Sequence, residues 1–251
     1  MVVGINRFRE HFAGHDHQFV LIGGAASDLL MTDAGLDFRA TKDLDIVLIV
    51  EALDAAFAER FWAFVEEGGY EVRQQSEGKR VLYRFQKPAS RDYPAMLELF
   101  SRKPEGLTLA DDSHLTPLPI DEEAASLSAI LLDNDYYDFL KGMVRIVDAI
   151  PVLDEAAIIP FKARAWIDMI ARRAEGIRVD DKDIKKHRND VARLLQLLAA
   201  DAQYELPATV RTDMTTFANA LAEEQDFEPK AFGVAMTRVV VVERLRAAYQ
   251  L

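Results

Sequence analysis

The chain has 251 residues, of which 50% are hydrophobic and 29% are charged, and it contains no cysteine. This composition is typical of a globular protein, and it excludes disulfides, thiolate metal sites and cysteine nucleophiles. The formal net charge of -12 argues against a protein that coats nucleic acid, although a local basic patch would overcome the repulsion. Because we find neither a secretory signal nor a run of roughly 20 apolar residues, we expect a soluble cytoplasmic protein without a membrane partner.

Strand-like apolar runs alternate with helix-like segments over residues 19–100. The predicted strands are 19–22, 44–50, 70–74, 80–86 and 95–100, and the predicted helices are 25–31 and 52–67. A segment rich in Val and Ile, 142–154, contains Pro151 and indicates one or two further edge strands. We therefore expect a β-sheet with helices packed on it in domain 1–154.

The pattern changes after residue 154, where apolar residues recur at intervals of three and four. The segments 156–173, 183–200 and 232–250 are predicted helices, with Gly176 ending the first and Asp180 or Asp181 capping the second. Domain 155–251 is therefore predicted to be a helical bundle.

Two carboxylates, Asp43 and Asp45, stand at the start of the strand "DLDIVLIV". Side chains two positions apart on a strand project from one face, with their roots roughly 6–7 Å apart. An ionised pair at this spacing repels itself unless cations lie between, and Mg²⁺ is the ion that carboxylate oxygens favour. An alternative interpretation is a polar start to the strand, in which Asp43 caps a turn and Asp45 is solvated.

Two further features favour the metal site. Glu98 lies within "AMLELF" on the same strand face as Met96 and Phe100, where a buried charge is costly unless it is paired or bound to metal. Such a third carboxylate completes a metal site or takes the proton from an attacking hydroxyl. The pair Gly23-Gly24 ends a strand and starts a helix, so backbone can approach a ligand and the helix N-terminus attracts phosphate.

The stretches "IGGAASDLL", "TKDLDIVL" and "MLELF" together resemble the active-site signature of the nucleotidyltransferase superfamily related to DNA polymerase β. The resemblance implies an α+β fold, in which a nucleotidyltransferase-like mixed sheet flanked by helices is followed by a helical bundle. It also implies transfer of a nucleoside monophosphate from a nucleoside triphosphate to an acceptor hydroxyl. By this resemblance Gly23 and Gly24 hold the triphosphate, Asp43 and Asp45 bind two Mg²⁺ ions, and Glu98 is the third carboxylate.

The downstream segment "PFKARAWIDMIARR…DDKDIKKHRNDVARLL" resembles the helices of AbiE-type toxins of bacterial type IV toxin–antitoxin systems. The matching positions are Lys162, which by this resemblance contacts phosphate, and Asp190, which serves as an acid/base or positioning group. The resemblance implies an RNA or tRNA acceptor and a cognate antitoxin protein as partner.

The sequence departs from the family pattern after the glycines. Many members have Ser directly after the glycine, whereas this chain has Ala25 there and its first hydroxyl is Ser27, which by the resemblance is the candidate phosphate contact. Arg39 and Lys42 precede the acid pair and could reach a phosphate. The segment 162–193 is dense in basic residues and indicates either a landing site for triphosphate or RNA, or the solvated face of two helices.

Two other functions stay open at this point. The first is a non-catalytic module that binds a nucleotide or RNA with the same fold. The second is a transferase whose acceptor is a small molecule, such as an aminoglycoside, or a protein side chain.

Overall fold

The computed structural model describes residues 2–49, 51–77, 80–101, 116–117, 130–131 and 133–251, which form two compact units. The first unit contains the described residues of Met1–Ile120 and Val144–Leu153, and the second contains those of Asp121–Met143 and Asp154–Leu251. Each unit is therefore made of two separate segments of the chain, and the second segment of the first unit is a pair of strands. Residues 133–143 belong with the helices because Tyr136 packs on Phe161 and donates to Asp213, both in the second unit.

The first unit is built on one mixed sheet. Along the described chain its strands are β1 (Phe19–Ile22), β2 (Asp43–Leu48), β3 (Glu71–Glu77), β4 (Arg80–Gln86), β5 (Met96–Ser101), β6 (Thr116–Pro117), β7 (Val144–Val147) and β8 (Ile150–Leu153). Their order across the sheet is β6-β3-β4-β5-β2-β1-β8-β7. Strand β2 is antiparallel to β1 and parallel to β5, while β4 is antiparallel to both β3 and β5.

The predicted strands are present, with small shifts at their ends; position 50, the end of one prediction, lies outside the described residues. The prediction of edge strands in 142–154 is confirmed for β7 and wrong for β8, which pairs with both β1 and β7. All four residues of β8, including Pro151, are buried. Burial between two strands therefore outweighs the one hydrogen bond that a proline cannot donate.

The helices of the first unit are α1 (Ile5–His11), α2 (Gly23–Asp33) and α3 (Ala55–Gly68). Phe8 of α1 packs edge-on against Phe64 of α3 and Phe19 of β1, at 5.6 and 5.4 Å between ring centroids. Phe61 of α3 reaches Phe85 of β4 at 5.3 Å. These aromatic side chains cover the sheet face that carries Phe19 and Phe85, and α2 packs on β1 and β2.

The second unit is helical. Its helices are α4 (Asn134–Gly142), α5 (Glu155–Ala174), α6 (Asp181–Leu194), α7 (Ala208–Glu223) and α8 (Arg238–Tyr249), with a 3-10 turn at Pro229–Phe232. Helix α5 packs against α6 and α7, and α7 against α8 and α4. As predicted, Gly176 follows the end of α5 with a φ of +84°, and Asp180 caps α6 by accepting from the Lys182 amide.

The protein is therefore an α+β protein with a mixed sheet flanked by helices and a helical second unit. Within the part of the chain that the structure describes, the helices lack the length and apolar content required to cross a membrane.

Candidate functional site

A row of charged side chains crosses three adjacent strands of the sheet. Asp45 of β2 is in register with Glu98 of β5, and Glu98 is in register with Arg84 of β4. Residues directly opposite each other on neighbouring strands project from the same face, and the strands lie about 4.8 Å apart. The three side chains therefore share one face, opposite the face that the α1 and α3 aromatics cover.

Asp43 lies on the same face as this row, two residues closer to the sheet margin. It is in register with Met96 of β5, which in turn is in register with Gln86 of β4. The alternating residues Leu44 and Ile46 are fully buried, whereas both aspartates are half-buried. The two carboxylates thus stand side by side at the partly open end of an otherwise buried strand.

The start of α2 lies directly against the Asp45 carboxylate. Gly23 adopts a φ of +65°, a left-handed conformation that residues with a β-carbon rarely take. A β-carbon placed on Gly23 would overlap Asp45 Oδ2 and lie 2.8 Å from its Cγ. Glycine is therefore required at this position for two reasons: the left-handed backbone and the lack of space for a side chain. The close approach places the N-terminus of α2 against the Asp45 carboxylate.

Gly24 brings the segment before β2 to the same place. A β-carbon on Gly24 would lie 2.7 Å from Thr41 Oγ1 and 3.6 Å from Arg39 Nη2. A hydroxyl and a guanidinium thus adjoin the first turn of α2, where the backbone N–H groups have no acceptor within the helix. Sequence reasoning noted Arg39 but missed Thr41, because nothing in the local pattern distinguishes this threonine from a loop residue.

Ser27 lies inside α2 and is completely buried. Its hydroxyl donates to the Gly23 carbonyl oxygen at 2.7 Å. This hydrogen bond stabilises the glycine turn from within the helix.

Glu98 is bound by Arg84. Arg84 Nε donates to Glu98 Oε1 at 2.6 Å, and Nη2 contacts the same oxygen. Both side chains are at most 10% exposed, so the pair satisfies two charges that would be costly to bury alone. Arg84 was not among the sequence-predicted residues, because it alternates with the apolar Tyr83 and Phe85 and therefore has the pattern of an ordinary polar position on a strand.

The chemistry of the donors fits Mg²⁺ in part. Asp43 and Asp45 offer hard carboxylate oxygens from one face, and Mg²⁺ is commonly held by one or two carboxylates that are completed by water and substrate phosphate. Among the described residues, no group of three or more His, Cys, Asp or Glu side chains is arranged to hold a metal ion. The acid pair therefore suits an ion that arrives together with a phosphate ligand.

Lys162 and Asp190 lie in the second unit and bind each other. Lys162 Nζ of α5 donates to Asp190 Oδ2 of α6 at 2.9 Å, and the two side chains are 5% and 0% exposed. Arg193 donates to the other carboxylate oxygen at 3.2 Å. One buried carboxylate thus holds two cations and ties α5 to α6.

Several basic residues of segment 162–193 are also engaged by acids. Lys185 and Arg188 both bind Asp226, at 3.0 and 2.8 Å, and Arg188 also contacts Glu224. Arg173 binds Asp181 at 2.9 Å. Because acidic side chains of the same unit already neutralise these cations, and Arg188 is buried, the ion pairs favour a salt-bridged helix pair over a nucleic-acid landing site.

Lys42 is exposed and lines a surface cavity of about 720 Å³ together with Asp43. The side chain therefore lies beside the acid pair, in the same unit and at the same margin of the sheet.

No family model matches this sequence, and no curated protein sequence matches it. Among solved structures, the chain is similar to one described as an antigenic nucleotidyltransferase-like protein from Paracoccidioides brasiliensis. The identity is 13% and the TM-score 0.44, over 98% of this chain and 91% of that chain. A likeness at this level is too distant to assign a shared fold or activity.

Proposed function

We propose that this protein is a magnesium-dependent nucleotidyltransferase, which moves a nucleoside monophosphate from a nucleoside triphosphate to an acceptor hydroxyl. The observation that carries the proposal is the contact between the start of α2 and the acid pair, at Gly23 and Asp45. A helix N-terminus attracts phosphate and paired carboxylates attract a divalent cation, so the juxtaposition suits a metal-bound triphosphate.

The triphosphate lies over the first turn of α2 in this proposal. The amides of Gly23 and Gly24 donate to its oxygens, while Arg39 and Thr41 supply a positive charge and a hydroxyl from the other side. Ser27 holds the turn through the Gly23 carbonyl instead of contacting phosphate.

Asp43 and Asp45 would hold the metal, and Lys42 would approach the phosphate from the cavity side. Magnesium, when bound, supplies positive charge that stabilises the transferred phosphate and the departing pyrophosphate. The protein's own contribution is positioning: fixed amides and carboxylates that need no rearrangement during the transfer. Glu98, whose carboxylate Arg84 binds, fixes the geometry of the row beside Asp45.

The finer assignments rest on the sequence resemblance. By that resemblance the acceptor is RNA or tRNA, the protein is the toxin of a toxin–antitoxin pair, and Lys162 and Asp190 take part in transfer. The corresponding expectation is an antitoxin encoded in the adjacent reading frame.

A non-catalytic nucleotide-binding module is the second candidate, and one observation favours it. Arg84 binds the carboxylate that would otherwise be the third acid of a two-metal site. A site with two acids can bind a metal–triphosphate complex without aligning it for attack.

A transfer assay separates the two candidates. Labelled ATP, CTP, GTP and UTP are supplied one at a time with Mg²⁺, and with either cellular RNA or cellular protein. Incorporation of label with release of pyrophosphate supports the transferase, and the labelled fraction identifies the acceptor. Saturable nucleotide binding without pyrophosphate release would support the binding module instead.

A further inference from the structure

A cavity of about 720 Å³ opens on the β4 side of the acid pair. Its lining includes Asp43, Met96 and Gln86, which are in register across β2, β5 and β4. The volume lies within the range of roughly 300–1,000 Å³ that is usual for small-ligand sites. The cavity is therefore large enough for one nucleotide and shares Asp43 with the candidate site.

The charged residues around this cavity are mostly cationic. The cavity is lined by three cationic residues, Lys42, Lys87 and Arg91. Among its described lining residues, one is acidic, Asp43. Lys87 Nζ lies 3.0 Å from a Glu71 carboxylate oxygen, but both side chains are more than half exposed. An exposed ion pair of this kind contributes little free energy, so Lys87 can leave Glu71 for an anionic ligand at little cost. The whole chain has a net charge of -12, whereas three cations surround this cavity. The local charge is therefore opposite in sign to that of the chain and favours an anionic ligand.

The position of Lys87 is also constrained. It follows the last residue of β4 with a φ of +52°, which is uncommon for a residue with a side chain. Such conformations persist where the surrounding structure fixes them, and they cluster at ligand sites. The backbone thus holds a lysine at the rim of the cavity at a conformational cost.

The cavity adjoins the start of α2 at one end, since Thr41 lines the cavity and also packs on Gly24, and it extends from there away from α2. In the strand order β4-β5-β2-β1, the cavity lies over β4, β5 and β2, whereas Gly23 follows β1. Phosphoryl transfer places the attacking and leaving oxygens in line, on opposite sides of the phosphorus. If pyrophosphate departs over α2, the acceptor approaches from the end of the cavity at Lys87 and Arg91, since Lys87 follows β4 and is separated from β1 by β5 and β2.

We propose that this cavity binds the acceptor, and that the acceptor carries a phosphate next to its attacking hydroxyl. The inference rests on the proposed function and narrows it: a phosphate-bearing acceptor fits the cationic rim, and a polycationic small molecule does not. The acceptor oxygen forms a bond to the α-phosphorus from the cavity side. The bond from that phosphorus to the bridging oxygen breaks, the electron pair leaves with pyrophosphate, and the hydroxyl proton passes to water.

Binding measurements with defined probes test the proposal. The protein is saturated with Mg²⁺ and an α,β-methylene triphosphate, which cannot transfer, and is titrated with the dinucleotide ApA, AMP, adenosine or kanamycin. The variant K87A/R91A removes two exposed cations from the rim. The matched control, K182A/K230A, removes two exposed lysines from the second unit.

We expect ApA or AMP to bind the wild type more tightly than adenosine or kanamycin. In K87A/R91A their affinity should fall at least about tenfold, because two charge-assisted contacts are lost. The control should bind them as the wild type does, and all three proteins should bind the triphosphate analogue within about twofold of one another. A preference for ApA over AMP identifies an oligonucleotide acceptor, and the reverse a phosphorylated small molecule.

Three results would overturn the assignment of the cavity to the acceptor: unchanged ApA and AMP binding in K87A/R91A, kanamycin as the tightest probe, or an equal loss of triphosphate binding. The last result would place the triphosphate itself in the cavity. Failure of the wild type to bind the triphosphate analogue would instead contradict the proposed function as a whole. The two failures are therefore distinguishable.

Discussion

Gly23 and Asp45 lie in direct contact, so close that a β-carbon on Gly23 would overlap a carboxylate oxygen of Asp45. The first residue belongs to a helix N-terminus and the second to the acid pair of β2. Neither feature alone identifies a site, since glycine turns and polar strand ends are common. Their contact places a partial positive charge and a cation-attracting carboxylate within reach of one ligand.

Gly23→Ala should abolish binding of a metal–triphosphate complex. The added methyl group displaces the Asp45 carboxylate, and the left-handed backbone conformation becomes unfavourable by about 1–2 kcal/mol. Gly35→Ala is the matched control, because Gly35 has a similar φ of +71° and no atom within 4 Å of the added β-carbon. Both variants should lose stability in thermal unfolding because of the left-handed backbone, Gly23→Ala somewhat more because of the overlap, but Gly35→Ala should keep nucleotide binding. Equal nucleotide binding by the two variants would contradict the role given to Gly23.

Glu98→Gln should destabilise the first unit. It leaves the Arg84 guanidinium buried without its counter-charge, and breaking a buried ion pair typically costs about 3–5 kcal/mol. In the double variant R84M/E98L both charges are absent, so most of the lost free energy of unfolding should return. Urea unfolding of the wild type, R84M, E98L and R84M/E98L measures the coupling between the two side chains, and Glu98→Gln is unfolded in parallel. If Glu98→Gln keeps its stability but loses affinity for Mg²⁺, Glu98 is a metal ligand and not the partner of Arg84.

Replacing the two members of the Lys162–Asp190 pair should have unequal effects. Asp190→Asn leaves two cations, Lys162 and Arg193, around an uncharged amide and should cost about 3–5 kcal/mol of stability. Lys162→Met should cost less, because Arg193 still neutralises Asp190. Chemical unfolding measures both, and an equal loss in the two variants would contradict this. Because we expect Lys162→Met to remain folded, its activity in the transfer assay tests the phosphate contact that the resemblance implies.

The stability of the second unit should decline in acid partly through Asp226. Hydrogen bonds from Arg188 and then Lys185 hold the pKa of the Asp226 carboxyl well below its usual range. Because the folded pKa is lowered, this stabilisation is fully present above the unfolded value of about 3.9 and is lost as pH falls through the folded pKa. The difference in free energy of unfolding between the wild type and Asp226→Asn should therefore be constant from pH 7 to about 5 and shrink below pH 4. If the difference in free energy of unfolding between the two proteins increased as the pH fell, the stabilising role given to the ionised Asp226 carboxylate would be contradicted.

Much of the fold follows from local pattern. Strand β4 was predicted with its observed ends. Gly176 follows the end of α5 and Asp180 caps the start of α6, as predicted from their residue types. Helix α7 escaped prediction because threonine is a weak helix former. In the structure the hydroxyls of Thr212, Thr215 and Thr216 donate to carbonyl groups four residues back, which satisfies them within the helix.

Only those features of the candidate site that depend on residues close together in the sequence could be predicted. Alternation along a strand put Asp43 and Asp45 on one face, and the parallel register with β5 brings Glu98 to that face. No local pattern shows that Arg84 lies opposite Glu98, since that depends on the pairing of β4 with β5. The sequence likewise cannot display the contact between Thr41 and Gly24, which arises where a loop folds back over a helix start.

The most direct test of the proposed site is calorimetric titration of a nonhydrolysable nucleoside triphosphate with and without Mg²⁺, into the wild type, Asp43→Asn and Asp45→Asn. We predict that the wild type binds the nucleotide in a Mg²⁺-dependent manner. Each variant should lose most of that dependence while its melting temperature changes little, because relief of the repulsion between the two carboxylates offsets the weakened interaction with the start of α2. Mg²⁺-dependent binding that survives both substitutions, or a large fall in melting temperature, would show that the two aspartates are structural and would contradict the proposed site.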